Sequence, residues 1–397
     1  MNDLVVLALV AIGLYLLECV IWARRGAVVV TAPWYFGRLR MSPPSASMGN
    51  GQGGLTLLNP LPPFGRVYVV EPWPFSPGRD GVVAAVTFAW GNAARQAGSG
   101  RFVAWADVKR VRVDEKAVFL NDEKAPFARC SSARHAKNAA AVLRSLALAS
   151  STSDRERLLE EKIASSLAVP HVTARARSHQ WMGLPLLLST LLCFVIFFGF
   201  VPLIVAREGL QRWPHLLASV YSSVVMCALS TWLVHRALMK EARGDRWMAT
   251  LLSLPAPTLA IRGNDKVGRY LLADSHPIGA AIALLSGARR TEAVLALLRD
   301  LRFPRQPALP VADAAAAAAE QEFRQHLERQ ATEAARQAGV DVEAAFLPPP
   351  QPKGFSTYCL RCHTVYRDGS TCADCGVPAV TFTPGALAEP ARDALRA

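Results

Sequence analysis

Four cysteines near the C-terminal end, Cys359, Cys362, Cys372 and Cys375, form two C-x-x-C pairs separated by a nine-residue insert. No other feature restricts the local fold so tightly. A tetrahedral metal needs donors converging from short loops, and each C-x-x-C supplies two sulfurs from one tight knuckle. The insert, residues 363–371, contains Asp368-Gly369, a turn-forming pair that reads as the tip of a short hairpin returning the second pair to the first. The expected centre is a structural Zn2+ ion bound by Cys359, Cys362, Cys372 and Cys375. Four thiolates close the coordination shell and leave no open position for catalysis. Such an ion stabilises a unit too small to bury much core of its own.

The rest of the chain points to a membrane. At 397 residues it is long enough for two or three folded units. Its hydrophobic fraction of 51% and mean hydropathy of +0.20 are concentrated in three runs, Leu4 to Trp22, Leu184 to Ala206 and Leu216 to Val234. Each run approaches the length of about 20 residues that crosses a hydrocarbon core of roughly 30 Å. The third is diluted by Ser219, Ser222, Ser223, Ser230 and Thr231, which suit close helix contact in lipid; a buried soluble helix is its alternative reading. With three spans, Arg24-Arg25, Arg175 and Arg177, and Arg236, Lys240, Arg243 and Arg246 all fall on one side, as the positive-inside rule requires. The short loop with Arg207, Glu208 and Arg212 runs mildly against it. The opening Met1-Asn2-Asp3 has no cation, which favours an uncleaved anchor over a signal peptide. The expectation is a multi-pass protein with its N-terminus outside and its C-terminus cytoplasmic. An Ala- and Arg-rich, Lys-poor composition suggests a GC-rich bacterial genome and hence the bacterial inner membrane. In the cytoplasm, paired C-x-x-C motifs read as metal sites rather than disulfides. Cys19, Cys130, Cys193 and Cys227 are assigned no chemistry.

The expected organisation is a multi-domain membrane protein. Residues 1–24 form a first transmembrane helix, and 25–150 a cytoplasmic β-rich α+β domain with a terminal helix. A helix and juxtamembrane segment follow at 151–182, and the second and third transmembrane helices at 183–238. A cytoplasmic helical region covers 239–310, a long Ala-rich helix 311–340, a Pro-rich linker 341–356, the metal unit 357–378 and a tail 379–397. Strands are expected at Val28 to Thr31, Arg66 to Val70, Phe102 to Trp105, Val108 to Val113 and Ala117 to Leu120, from β-branched runs bounded by Gly, Pro and polar turns. Helices are expected at Ala133 to Ala149, after a capping box of Ser153 with Glu156, at Ile278 to Ser286, from an N-cap at Thr291, and at Asp313 to Ala338 with Gly339 as the stop. The last has only Phe323 and Leu327 as large apolar residues and reads as a solvated spacer or a weak partner-docking helix. With Leu347-Pro348-Pro349-Pro350-Gln351-Pro352 as a semi-rigid arm, it would hold the metal unit on a stalk. The glycines of residues 49–54 lack a following Lys-Ser or Lys-Thr and precede an extended Leu55 to Leu58. They are a connector, not a phosphate loop.

Over residues 357–378 the double knuckle resembles the zinc-ribbon family, with Gly376 after the second knuckle as that family commonly has. His363 stands at the corresponding place after the first knuckle, and is read as solvated rather than as a ligand. The insert is shorter than the roughly 15 to 20 residues of the usual pattern. The element order of residues 65–150, strands then a helix, weakly resembles bacterial pleckstrin-homology-like domains. The ribbon resemblance implies a unit whose function is what its surface touches.

The net charge of +13 is spread along the chain, without runs of like charge or interleaved aromatics. Anionic lipid is therefore preferred to nucleic acid as its partner. No hydrolase, metalloprotease, P-loop or EF-hand motif is present, and the histidines show no ligand spacing on a common helix face. Glu18 is the one charge inside an expected span, close enough to Arg24-Arg25 to pair with it rather than serve a transport path. The preferred reading is a non-enzymatic membrane adaptor that presents the ribbon to protein partners of unknown identity. Two alternatives stand: an enzyme or enzyme subunit with its site in 25–150, around such residues as Arg66, Asp80 or Asp107, and a membrane-tethered nucleic-acid binder. No residue is assigned as catalytic.

Overall fold

The β-branched runs of the first half pair into several small sheets. The computed structural model describes residues 66–84, 100–130, 132–182, 195–209, 213–239, 266–303, 313–373 and 376–382, with short pieces at 20–23, 27–31, 40–42 and 54–57 and isolated positions within 5–13, 188–192 and 246–251. Strand β1 (Val20–Ala23) pairs antiparallel with β4 (Gly54–Leu57), and β2 (Ala27–Thr31) lies between β3 (Arg40–Ser42) and β5 (Arg66–Val70). Two meanders follow: β6 (Phe75–Pro77), β7 (Gly81–Ala84) and β8 (Phe102–Ala104), then β9 (Val111–Asp114), β10 (Ala117–Leu120) and β11 (Ala128–Arg129). The strand expected from Val108 begins at Val111. Its first residues are held in a turn instead, where the Lys109 and Arg110 amides donate to Asn121 Oδ1 at 2.9 and 3.2 Å.

Helix α1 (Ala133–Ala147) is capped by Ser132, whose hydroxyl accepts from the His135 amide at 3.1 Å. Helix α2 (Thr152–Leu167) is capped by Ser151, not by the expected Ser153 with Glu156. The partner that decides this is Asp154, whose amide donates to Ser151 Oγ and whose carboxylate accepts from Ser150 and Ser151. A carboxylate in the first turn also suits the helix dipole. After α3 (Val169–Met182), a π-turn at Ile196–Phe200 leads into α4 (Val201–Glu208) and α5 (Trp213–Leu238). Helix α6 (Pro277–Leu284) precedes α7 (Gly287–Arg302), which starts a turn before the expected Thr291 with Ser286 at its N-cap position. Helix α8 (Ala314–Gln337) is capped by Asp313, and Gly339 closes it at φ 75°.

The result is a mixed α+β fold of small sheets and many helices. One hydrophobic cluster joins Tyr68 and Phe75, Leu143 of α1, Ile163 of α2, Ile278 of α6, Val294 and Leu298 of α7, and Leu327 of α8 to Tyr358 and Leu360. Two expectations are thereby corrected. First, α8 is not a solvated spacer. Ala316, Ala319, Leu327, Ala331 and Ala335 form a buried stripe, and alanine lets the backbone approach closely. A Cβ added to Gly78 would lie 2.6 Å from Ala319 Cα. The Arg79 amide donates to Glu322 Oε2 at 2.7 Å, and Phe323 stacks on Trp73 with ring centroids 5.8 Å apart. Second, the cysteine unit is not displayed on a stalk, because Tyr358 and Leu360 belong to the main core.

Among the described residues, one helix, α5, is long and apolar enough to cross a membrane. Leu217, Tyr221, Val225, Leu229 and Leu233 are exposed along it, while Val224, Ala228 and Val234 are buried. The first expected span is cut short, because β1 takes residues 20–22. That leaves at most 16 positions, 4–19, about 24 Å of helix at ~1.5 Å per residue, short of the roughly 30 Å needed. The second expected span lies partly outside the described residues. Its end, from Ile196 to Val205, packs on α5 through Val201, Val205, Leu216 and Val220.

Candidate metal centre

The cysteine unit is a three-stranded antiparallel sheet in which β12 (Thr357–Cys359) lies between β13 (Val365–Tyr366) and β14 (Ala379–Thr381). The chain reverses at the first knuckle, between Cys359 and Thr364, and again after β13 around Asp368-Gly369 as expected, since residues 370–372 run antiparallel to 377–379. At the first knuckle the His363 amide donates to the Cys359 carbonyl and the Cys359 amide to the Thr364 carbonyl, both at 2.9 Å. The second knuckle repeats the pattern: the Gly376 amide donates to the Cys372 carbonyl at 2.9 Å and the Cys372 amide to the Val377 carbonyl at 2.8 Å. This turn needs a left-handed residue directly after each C-x-x-C. Gly376 adopts φ 67° without a Cβ penalty, and His363 adopts φ 60° against one.

The two matched turns bring three cysteine sulfurs together among the described residues. The Sγ atoms of Cys359, Cys362 and Cys372 all lie within 4.8 Å of one another, and those of Cys362 and Cys372 are 3.6 Å apart. Tetrahedral bonds of ~2.3 Å from zinc to sulfur separate neighbouring sulfurs by about 3.8 Å. The three cysteines can therefore hold a metal ion. Cys375, the fourth expected ligand, lies outside the described residues. Cys359 and Cys372 are buried and Cys362 is exposed, so access to the centre is through Cys362.

The electrostatics fit a cation. Hydrogen bonding to the Cys362 sulfur, and then burial, push the Cys359 thiol far above the ordinary thiol range. Without a positive ion the buried sulfur keeps its proton; a coordinated ion displaces it. The Tyr366 hydroxyl donates to Cys372 Sγ at 3.0 Å, and Cys362 Sγ lies 3.1 Å from Thr364 Oγ1. His363 is half-buried rather than fully solvated as expected. Its ring packs edge to face on Tyr358, 6.1 Å between centroids, and burial with the nearby Arg299 charge brings its pKa down to about 4.

Helix α7 docks against this unit through residues that sequence reasoning missed. Phe303, just past its end, packs on Cys359, Cys372 and Val377. Arg299 Nε donates to the Arg361 carbonyl at 3.2 Å and its Nη1 to the Ala345 carbonyl at 3.4 Å. Arg361, inside the first knuckle and only 5% exposed, donates from Nε to Asp300 Oδ1 at 2.6 Å and pairs with the same carboxylate through Nη2. Burial raises the Asp300 pKa against the pull of Arg361. The one available signal was Arg361 itself, a charge within a knuckle whose neighbour Leu360 is apolar; its partner, 61 residues away in sequence, is beyond any local pattern.

Among the described side chains, Asp80 and Asp107 line none of the described clefts. Arg66 lies in β5, while Asp80 and Asp107 use backbone carbonyls to accept from the Trp105 amide and Asn121 Nδ2. Neither a cleft of about 750 Å³ between α2, α3, α6 and α8 nor one of about 170 Å³ beside Gly78 is lined by Asp80 or Asp107. Glu18 lies outside the described residues. In comparisons with known proteins, no family model matches the chain, and neither a curated protein nor a solved structure matches it.

Proposed function

We propose that this chain is a multi-pass membrane adaptor whose cytoplasmic surface is built around a structural zinc centre. The observation that carries the membrane part is the shared core. Residues on both sides of the apolar region, such as Tyr68 and Leu143 before it and Ile278 and Leu298 after it, pack in one hydrophobic cluster. One core cannot lie on two sides of a bilayer, so the chain between them crosses an even number of times. The helical stretch ending at Glu208 packs on α5, and a hairpin of two spans satisfies that count. The exposed apolar side chains of α5 support it, since lipid covers such a surface and water does not. Arg175 and Arg177 before the hairpin and Arg236 after it then lie on the cytoplasmic side.

Zinc is the ion that an all-thiolate tetrahedral site favours in a reducing compartment. Cys375 completes the donor set in this reading, closing the shell and making the centre structural. A closed metal centre, with none of the described clefts lined by its residues, supports recruitment of a protein partner rather than a reaction. The test is to purify the intact protein from its membranes after nuclease treatment, with and without Cys359→Ser and Cys362→Ser together, and to identify what co-purifies. The adaptor reading requires protein partners that are lost with the cysteines while membrane insertion persists. Partners retained equally by both proteins would sink it.

A further inference from the structure

The metal centre has a charge partner outside the cysteine unit. Three thiolates on a divalent cation leave at least one net negative charge, whatever completes the shell. Opposite them stand two guanidiniums, Arg299 and Arg361, and one carboxylate, Asp300, which is committed to Arg361. Asp300 makes its contact pair with Arg361 and acts on Arg299 only from further off. Arg299 belongs to α7, yet its Nε reaches the carbonyl of Arg361, between the first two cysteines, and its Nη1 reaches Ala345. Burial disfavours its charge and lowers its pKa, opposed in turn by the Cys362 sulfur, Asp300, the exposed Glu292 and the Cys359 sulfur. Arg361 Nη1 is buried without a hydrogen-bond partner among the described residues. Buried cations of this kind are costly unless a compensating negative charge is present.

We propose that Arg299 is the positioning residue that couples metal loading to docking: a loaded centre clamps residues 357–382 onto α7, and loss of the metal releases them. The inference rests on the zinc reading above and adds a consequence to it. The C-terminal unit is a metal-dependent latch on the main core, and metal supply sets whether its inner face, including Tyr358 and Leu360, is covered.

The experiment uses the intact protein in detergent, its metal content measured first. Zinc release to a competing chelator is followed with a metal-sensitive dye for the unsubstituted protein, Arg299→Gln and Arg299→Lys. Amide exchange of residues 290–303 is followed before and after metal removal. Loss of an outer partner of a metal site typically weakens binding about 10- to 100-fold. Arg299→Gln should weaken retention within that range, Arg299→Lys should recover most of it, and metal removal should expose α7 to exchange. If the protein holds zinc but Arg299→Gln retains it unchanged, the latch is wrong and the zinc reading stands. The latch also fails if Gln and Lys lose zinc equally, or if α7 exchange ignores the metal. A protein that binds no metal overturns both.

Discussion

The imidazole of His276 caps α6, accepting from the Ile278 amide at 3.3 Å, while its own amide donates to the Ser166 carbonyl at 2.8 Å. The ring lines a narrow crevice with Trp73, Ile163, Phe323 and Leu327, and burial there lowers its pKa from 6.5 to about 4. A cap that accepts a hydrogen bond must be neutral at that nitrogen, so packing and capping both demand the uncharged form. The folded pKa lies below the unfolded one. The stabilisation is therefore complete above pH 6.5 and is lost as the pH falls toward 4, by up to ~1.4 kcal/mol per pH unit. His276→Asn keeps an acceptor suited to an N-cap and removes the titration. Thermal unfolding of the two purified proteins between pH 7 and pH 4.5 should show the unsubstituted protein losing more stability than the variant. The cysteines titrate alike in both, so the difference isolates His276; parallel profiles would refute the assignment.

Helix α8 shows what a sequence can hide at the level of an element. Its bounds were legible, because Asp313 and Gly339 are strong stop signals and alanine is a strong helix former. Its burial was misjudged because side-chain size was weighed above spacing. Ala316, Ala319, Phe323, Leu327, Ala331 and Ala335 recur every three or four residues, which is a core stripe written mostly in small residues. Small residues bury little area each, but they let α8 lie directly on the β6–β7 turn at Gly78. The same geometry makes the contact intolerant. Gly78→Ala would place a methyl group 2.6 Å from Ala319 Cα and 2.9 Å from Glu322 Oε2. Overpacking of this kind costs about 1–3 kcal/mol. The predicted outcome is faster amide exchange and easier proteolysis within residues 314–323, with little change near α1. Undisturbed exchange in α8 would mean that the turn yields instead. The metal unit was read with similar partial success: residue types and knuckles were visible in 17 positions, whereas its seat on α7 depends on pairing across some 60 residues and was not.

Across the whole molecule, charge bias and apolar run length could place candidate spans but could not count crossings. If the proposed membrane reading holds, the core fixes the parity of the crossings. Val70 and Leu146 before the apolar region share a cluster with Leu272 and Leu295 after it, so the intervening chain must return to the side it left. In the proposed two-span hairpin, the turn between α4 and α5 is the described segment that would be exposed on the far face. Glu208 lies at the end of α4 and is exposed, and Glu343 is an exposed residue of the main body. A cysteine at each position reports its side. Glu208→Cys should react with a membrane-impermeant maleimide on intact cells, whereas Glu343→Cys should react only after the membrane is opened. The unsubstituted protein, with exposed Cys362 on the inner side, supplies the background. If Glu208→Cys reacts only after opening as well, residues 195–239 lie on the cytoplasmic face without crossing, and the exposed apolar residues of α5 must meet protein or the bilayer surface instead. Reaction of Glu343→Cys on intact cells would invert the orientation and place the thiolate centre in an oxidising compartment, where Cys362 and Cys372, 3.6 Å apart, would be candidates for a disulfide rather than a metal.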